Sequence, residues 1–152
     1  MVKYDLGAFV KPLCSWYEKN KRSMPWREQK GAYEVWISEI MLQQTRIEAV
    51  KGYYDRFLKR LPAVKDLAEI PQEELMKLWE GLGYYNRARN LQKAAQKVQD
   101  EYDGVLPADY EKLLKLPGIG AYTAGAVASI ACQIPVPAVD GNVLRVIARV
   151  CC

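Results

Sequence analysis

An all-α fold is what this sequence predicts, and three observations predict it. Apolar residues recur three and four positions apart along most of the chain. Proline and glycine punctuate those runs, and no stretch alternates apolar and polar residues as a half-buried strand would. The 152 residues fit one domain, or two small helical lobes sharing a core, and 50% hydrophobic with 26% charged is ordinary for a soluble globular protein. No apolar run approaches the roughly 20 residues of a membrane span. The N-terminus carries no secretory pattern, so the expected compartment is the cytoplasm.

The elements follow in order. An opening helix is predicted over 6–19, with Phe9, Val10, Leu13, Trp16 and Tyr17 at helical spacing. Residues 21–30 are polar and interrupted by Pro25, which predicts a loop. The next helix carries Val35, Trp36, Ile37, Ile40, Met41 and Leu42, apolar on most sides and therefore deeply buried. Gln43-Gln44-Thr45 interrupts it, and Thr45 with Glu48 reads as a capping box opening a helix through Val50, Tyr53, Tyr54, Phe57 and Leu58. Shorter helices are predicted at 64–69 and 72–80, the second ended by Gly81 and Gly83. A basic helix with Leu91, Ala94, Ala95, Val98 and Tyr102 on one face stops near Gly104. Helices at 109–115 and 121–132 follow, then a loop with Pro135 and Pro137. Asp140 stands where an N-cap would open a last helix through Val143, Leu144, Val146 and Ile147.

Composition narrows the chemistry. There is no histidine, which removes His-based triads, His general bases and His-containing zinc sites. Cys14, Cys132, Cys151 and Cys152 have no ligand-like spacing, and no metal ligands are expected in this chain. Acid–base work therefore falls to carboxylates, tyrosines or lysines. The net charge of +4 permits a polyanionic partner without demanding one. Arg87, Arg89, Lys93 and Lys97 lie on a segment without acids after Tyr84 and Tyr85; on charge alone this reads first as a solvated helix face.

Leu116-Pro117-Gly118-Ile119-Gly120 joins two predicted helices. Pro117 stops the first, and the glycines permit backbone that a side chain would block. Amides around Gly118 and Gly120 can then face a phosphate, a contact that positions DNA without reading its sequence. The simpler alternative is a plain turn between helices.

With this hairpin, several motifs stand in order: Pro25-Trp26-Arg27, the run from Ser38 to Thr45, Gly81-Leu82-Gly83-Tyr84-Tyr85, the run from Arg87 to Leu91, and Asp140-Gly141-Asn142-Val143. Together they resemble the helix–hairpin–helix (HhH-GPD) superfamily of base-excision glycosylases, and within it the adenine DNA glycosylase family. The resemblance implies a helical core with the helix–hairpin–helix at 109–132 inside a barrel domain at 25–134. It makes 1–24 an incomplete part of a second lobe, and 135–152 the catalytic aspartate loop with a truncated helix. It implies a monomer acting on double-stranded DNA with A:8-oxoguanine or A:G mispairs, releasing adenine by hydrolysis of the N-glycosidic bond. The family continues into C-terminal helices whose four cysteines hold a 4Fe–4S cluster; those ligands are absent here, so the chain is expected to be a truncated member. The apolar face of the opening helix, which packs on those helices in the family, is expected to stand exposed.

The chemistry of adenine loss fits two carboxylates in different environments. Burial on the most apolar helix would raise the pKa of Glu39, and the resemblance makes it the acid at adenine N7. A helix N-terminus would keep Asp140 ionised, and the resemblance makes it the stabiliser of the sugar cation. Tyr122 stands where bifunctional relatives carry a Schiff-base lysine; a phenol forms no imine, so base removal without strand cutting is implied. Tyr122 is expected to hydrogen-bond near the sugar or Asp140, and Asn142 to support the site. The resemblance further places Trp26, Arg27 and Leu42 by the flipped base. It assigns DNA contact to Gln43, Gln44, Thr45, Tyr84, Arg87, Leu116, Gly118, Gly120 and Thr123, with Gln44 and Tyr84 as wedges in the duplex. The competing readings are a glycosylase for thymine opposite guanine, a non-catalytic DNA-binding fragment, and a helical partner-binding module.

Overall fold

The computed structural model of the chain describes residues 7–28 and 31–151; the expectations at Leu6, Lys30 and Cys152 fall outside them. Among the described residues every regular element is helical. In chain order these are α1 (Gly7–Asn20), α2 (Pro25–Glu28), α3 (Ala32–Leu42), α4 (Ile47–Arg60), α5 (Val64–Glu69), α6 (Gln72–Trp79), α7 (Asn86–Tyr102), α8 (Tyr110–Leu114), α9 (Ala121–Ala126) and α10 (Gly141–Cys151). None is long and apolar enough to cross a membrane.

The core forms around α3. Its residues Tyr33, Val35, Trp36, Ile37, Ser38, Ile40 and Met41 are buried, as its apolar circumference predicts. It packs against α2, α4, α7, α9 and the turn after α9. α4 is amphipathic and buries Val50, Tyr54 and Phe57 at helical spacing, while α7 buries Ala88, Leu91, Ala94, Ala95 and Val98 against α5 and α6. Edge-to-face pairs lock these layers: Phe57 on Trp79 at 6.0 Å and Trp26 on Tyr54 at 5.5 Å between centroids.

Three local expectations are corrected. Residues 21–30 are not all loop, because Pro25 opens the single turn of α2; a proline at the first helical position lacks only an amide that would have had no partner. The Thr45–Glu48 capping box does not form. Arg46 is the N-cap without a side-chain bond, Thr45 Oγ1 donates to the Gln43 carbonyl, and Glu48 pairs with Lys51. The helix expected over 121–132 changes hand-hold midway: after α9, Val127–Ala131 forms a π-helical turn, with Ser129 Oγ donating to the Gly125 carbonyl at 2.7 Å. The helix expected over 109–115 is shorter at both ends, and Asp109 serves as its N-cap, Oδ1 accepting from the Lys112 amide at 2.9 Å.

Two helices present apolar side chains outward. On α1, Phe9, Val10, Leu13, Trp16 and Tyr17 are exposed, as expected for the opening helix, and on α10 so are Val143, Leu144, Val146 and Ile147.

Candidate active site

Helix α3 carries Glu39 between the buried Ser38 and Ile40, and Glu39 itself is half-buried where the core meets a cleft. Burial pushes its pKa above the ordinary glutamate value, and the negative charge of Asp140 adds to the rise. The Tyr122 phenol, from the first turn of α9, donates toward that carboxylate and opposes the shift in part. The same environment pushes the Tyr122 pKa up to about 12, by burial first and then by Glu39. Tyr122 therefore keeps its phenolic proton throughout the neutral range.

Asp140 lies opposite in character. Its Oδ1 accepts from the Val143 amide at 2.8 Å and its Oδ2 from Asn142 Nδ2 at 2.9 Å. These bonds hold its carboxyl below the ordinary aspartate value, the Val143 amide contributing most. The predicted N-cap and the predicted helper Asn142 thus act on one carboxylate, one oxygen each.

A close approach brings Asp140 to this place. Gly125, buried in α9, lies under the backbone of 137–138; a Cβ there would stand 2.2 Å from the Pro137 carbonyl oxygen and 3.1 Å from Ala138 Cα. The absence of a side chain lets the segment leading to Asp140 cross directly over α9.

Glu39, Tyr122, Asp140 and Asn142 open onto one cleft of about 1560 Å³. The expected base-pocket residues Trp26, Arg27 and Leu42 also line it, as do Gln43, Gln44, Tyr84 and Arg87. Trp26 is mostly core, and Arg27 is held at the edge by the Arg22 carbonyl at 2.9 Å and by the Tyr17 ring. Gln44 and Tyr84 are exposed and both adopt left-handed backbone, at φ 56° and 48°. The site also uses Ile130, on the π-helical turn, which nothing in the sequence singled out.

Other expected DNA contacts lie elsewhere. Leu116 and Thr123 are buried at 2% exposure each, so their side chains belong to the core; Thr123 Oγ1 accepts from Gln43 Nε2 at 3.4 Å. Thr45 is half-buried against Arg87, and the Arg87 guanidinium turns inward onto carbonyls. The two hairpin glycines also differ. Gly118 needs its lack of side chain twice, for φ 76° and for the 2.8 Å that would separate a Cβ from Asn90 Cβ. Gly120 has ordinary backbone, at φ −93°, and open space where a Cβ would go.

The described residues do not fit a metal cluster. Among them no group of His, Cys, Asp and Glu could hold a metal ion, and Cys14, Cys132 and Cys151 are free cysteines on separate elements.

The family model described as "HhH-GPD superfamily base excision DNA repair protein" matches residues 37–152, which include Glu39, the hairpin, Tyr122 and Asp140. The chain belongs to this superfamily. Among curated HhH-GPD relatives, the adenine DNA glycosylase of Rattus norvegicus is 48% identical over 96% of this chain, and that of Buchnera aphidicola (subsp. Acyrthosiphon pisum) is 41% identical over 98%. The chain spans 30% of the first and 42% of the second. Solved structures agree on the HhH-GPD fold. A thermostable thymine-DNA glycosylase superposes with a TM-score of 0.88 at 33% identity, covering 93% of this chain and 65% of that one. An endonuclease III trapped as a covalent DNA intermediate gives 0.83 at 28%, covering 97% and 68%.

Proposed function

We propose that this chain is the catalytic core of a monofunctional DNA glycosylase that hydrolyses the N-glycosidic bond of adenine mispaired with 8-oxoguanine or guanine. The observation that carries the reading is the pair of carboxylates on one cleft, Glu39 with its pKa raised and Asp140 with its pKa lowered. Opposed shifts of this kind divide acid from base at one pH. Adenine is a poor leaving group as an anion. Glu39 delivers a proton to N7 of the flipped base, so that a neutral purine departs. Asp140 stays ionised, stabilises the oxocarbenium-like sugar, and directs water to its carbon. Tyr122 orients Glu39, and Asn142 fixes the oxygen of Asp140 that the helix amide leaves free.

DNA engagement follows from the rim. Gln44 and Tyr84 enter the duplex and occupy the gap left by the extruded base. The backbone at Gly118 and Gly120 meets a phosphate, and the open outer side of Gly120 favours that approach. The partner is double-stranded DNA, engaged by a single copy of the chain. The names of the relatives support adenine as the base. The high structural similarity to a thymine-DNA glycosylase supports one second reading, thymine opposite guanine in the same cleft.

Single-turnover base release from an A:8-oxoguanine duplex, run beside a T:G duplex, tests the proposal. Adenine release without thymine release is expected; thymine release alone moves the assignment to the second reading, and binding without release leaves a DNA-binding fragment. Borohydride is expected to trap no covalent adduct, since a phenol at 122 cannot form an imine; robust trapping at Tyr122 contradicts the monofunctional reading.

A further inference from the structure

Arg87 is the second residue of α7, and its guanidinium reaches the carbonyl end of α3. Nη1 donates to the carbonyls of Ile40 at 2.9 Å, Met41 at 3.0 Å and Gln43 at 2.5 Å. Nη2 donates to Thr45 Oγ1 at 3.1 Å and to the carbonyls of Leu82 at 3.0 Å and Gly83 at 3.2 Å. One planar group thus grips both the α3–α4 turn and the α6–α7 turn. It also completes the end of α3, whose last carbonyls have no helical partner and whose dipole favours a cation. The rings of Trp79 and Tyr84 flank it, each with its centroid 5.5 Å away.

Each gripped turn holds a non-glycine residue in left-handed backbone, Gln44 at φ 56° and Tyr84 at φ 48°. Such backbone persists only where surrounding contacts over-determine it. In both turns the carbonyl just before the strained residue, Gln43 or Gly83, is one that Arg87 holds. We propose that Arg87 is a positioning residue, fixing the shape and spacing of the two turns so that Gln44 and Tyr84 enter the duplex together. This rests on the reading of those two residues as wedges. Both its Nη atoms are engaged inside the protein and its Nε is buried, so it contributes no phosphate contact. Lysine cannot replace it, because an ammonium is a point charge without a planar fork.

The test compares wild type with Arg87→Lys in three ways. In the free protein, amide exchange is expected to quicken at 43–45 and 82–85 and to stay near wild type in α5 and α9. On a duplex with 2-aminopurine opposite 8-oxoguanine, the fluorescence rise on binding is expected to be largely lost; on the A:8-oxoguanine duplex, adenine release is expected to fall about 100-fold, the scale of an ångström's misplacement. The slope of log affinity against log salt, measured with Arg87→Gln because lysine keeps the charge, is expected to be unchanged. A slope shallower by about one would make Arg87 a phosphate contact and overturn the proposal. So would wild-type flipping by a folded Arg87→Lys protein, or exchange that quickens uniformly. If Arg87→Lys fails to fold, Thr45→Val removes one acceptor, and the same pattern is expected at roughly threefold, about the worth of one net hydrogen bond; no change in flipping overturns the proposal. A wild type that flips 2-aminopurine without releasing adenine refutes the glycosylase reading and leaves Arg87 standing. If wild type does not flip the base either, the local exchange of the free protein decides alone.

Discussion

Glu39→Gln is expected to lower single-turnover adenine release about 1000-fold, the middle of the range for losing a positioned acid. Glutamine keeps the shape and a hydrogen-bond donor but has no proton to transfer to the departing base. Affinity for the mispaired duplex is expected to hold, since glutamine matches glutamate in size and leaves Gln44 and Tyr84, on the same cleft, unchanged. The fold is also expected to hold. A carboxyl whose folded pKa lies above its unfolded value contributes stability only at low pH and loses it as pH rises through the folded pKa. At neutral pH the substitution therefore removes a cost, and the Tm should be equal or higher. Release within tenfold of wild type would place the proton donor elsewhere.

Gly125→Ala is expected to have a further large effect, through backbone packing alone. The added Cβ would fall 2.2 Å from the Pro137 carbonyl oxygen, a backbone atom that cannot swing away as a side-chain tip could. Either α9 or the segment leading to Asp140 must move. Overpacking of this sort costs about 1–3 kcal/mol in stability. Displacement of Asp140 by about 1 Å should lower base release about 100-fold, well beyond what the lost stability alone would give to a still-folded protein. Thermal unfolding and single-turnover release, measured together, check this. A wild-type rate in a destabilised protein would show that Asp140 reaches its position without the crossing over Gly125.

Those two residues mark the boundary of what the sequence makes legible. Glu39 could be found because α3 announces itself: apolar residues on nearly every side require burial, and a carboxylate amid Ile37, Ile40 and Met41 is costly without a purpose. Asp140 could be found as an N-cap, and its bond to the Val143 amide is the one such a position calls for. Gly125 could not, because its meaning depends on a segment more than ten residues further along crossing above it. The π-helical turn that places Ile130 on the cleft has no compositional signature either.

Arg87 is an intermediate case. It reads as one of four cations on a basic helix with Arg89, Lys93 and Lys97. At 3.6 residues per turn, however, it points roughly 160° away from Arg89 and about 120° away from Lys93, with Lys97 midway between Arg87 and Arg89. Helical angle alone separates it from Arg89 and Lys93, although only the fold reveals the carbonyls it meets. Leu116 and Thr123 illustrate the converse: their places in a DNA-binding motif said nothing of their burial, which supports the hairpin from beneath.

The central claim is that the pKa values of two carboxylates on one cleft are driven apart, Glu39 upward by burial and Asp140 downward by its hydrogen bonds. Carbon-13 carboxyl NMR, following Glu39 and Asp140 through a pH titration of the free protein, measures it directly. Glu39 is expected to titrate above an ordinary glutamate and Asp140 below an ordinary aspartate. Tyr122→Phe should move the Glu39 midpoint higher still, because the lost phenol favours the charged form. A Glu39 that titrates at or below the ordinary value, or that shifts down in Tyr122→Phe, would contradict the account.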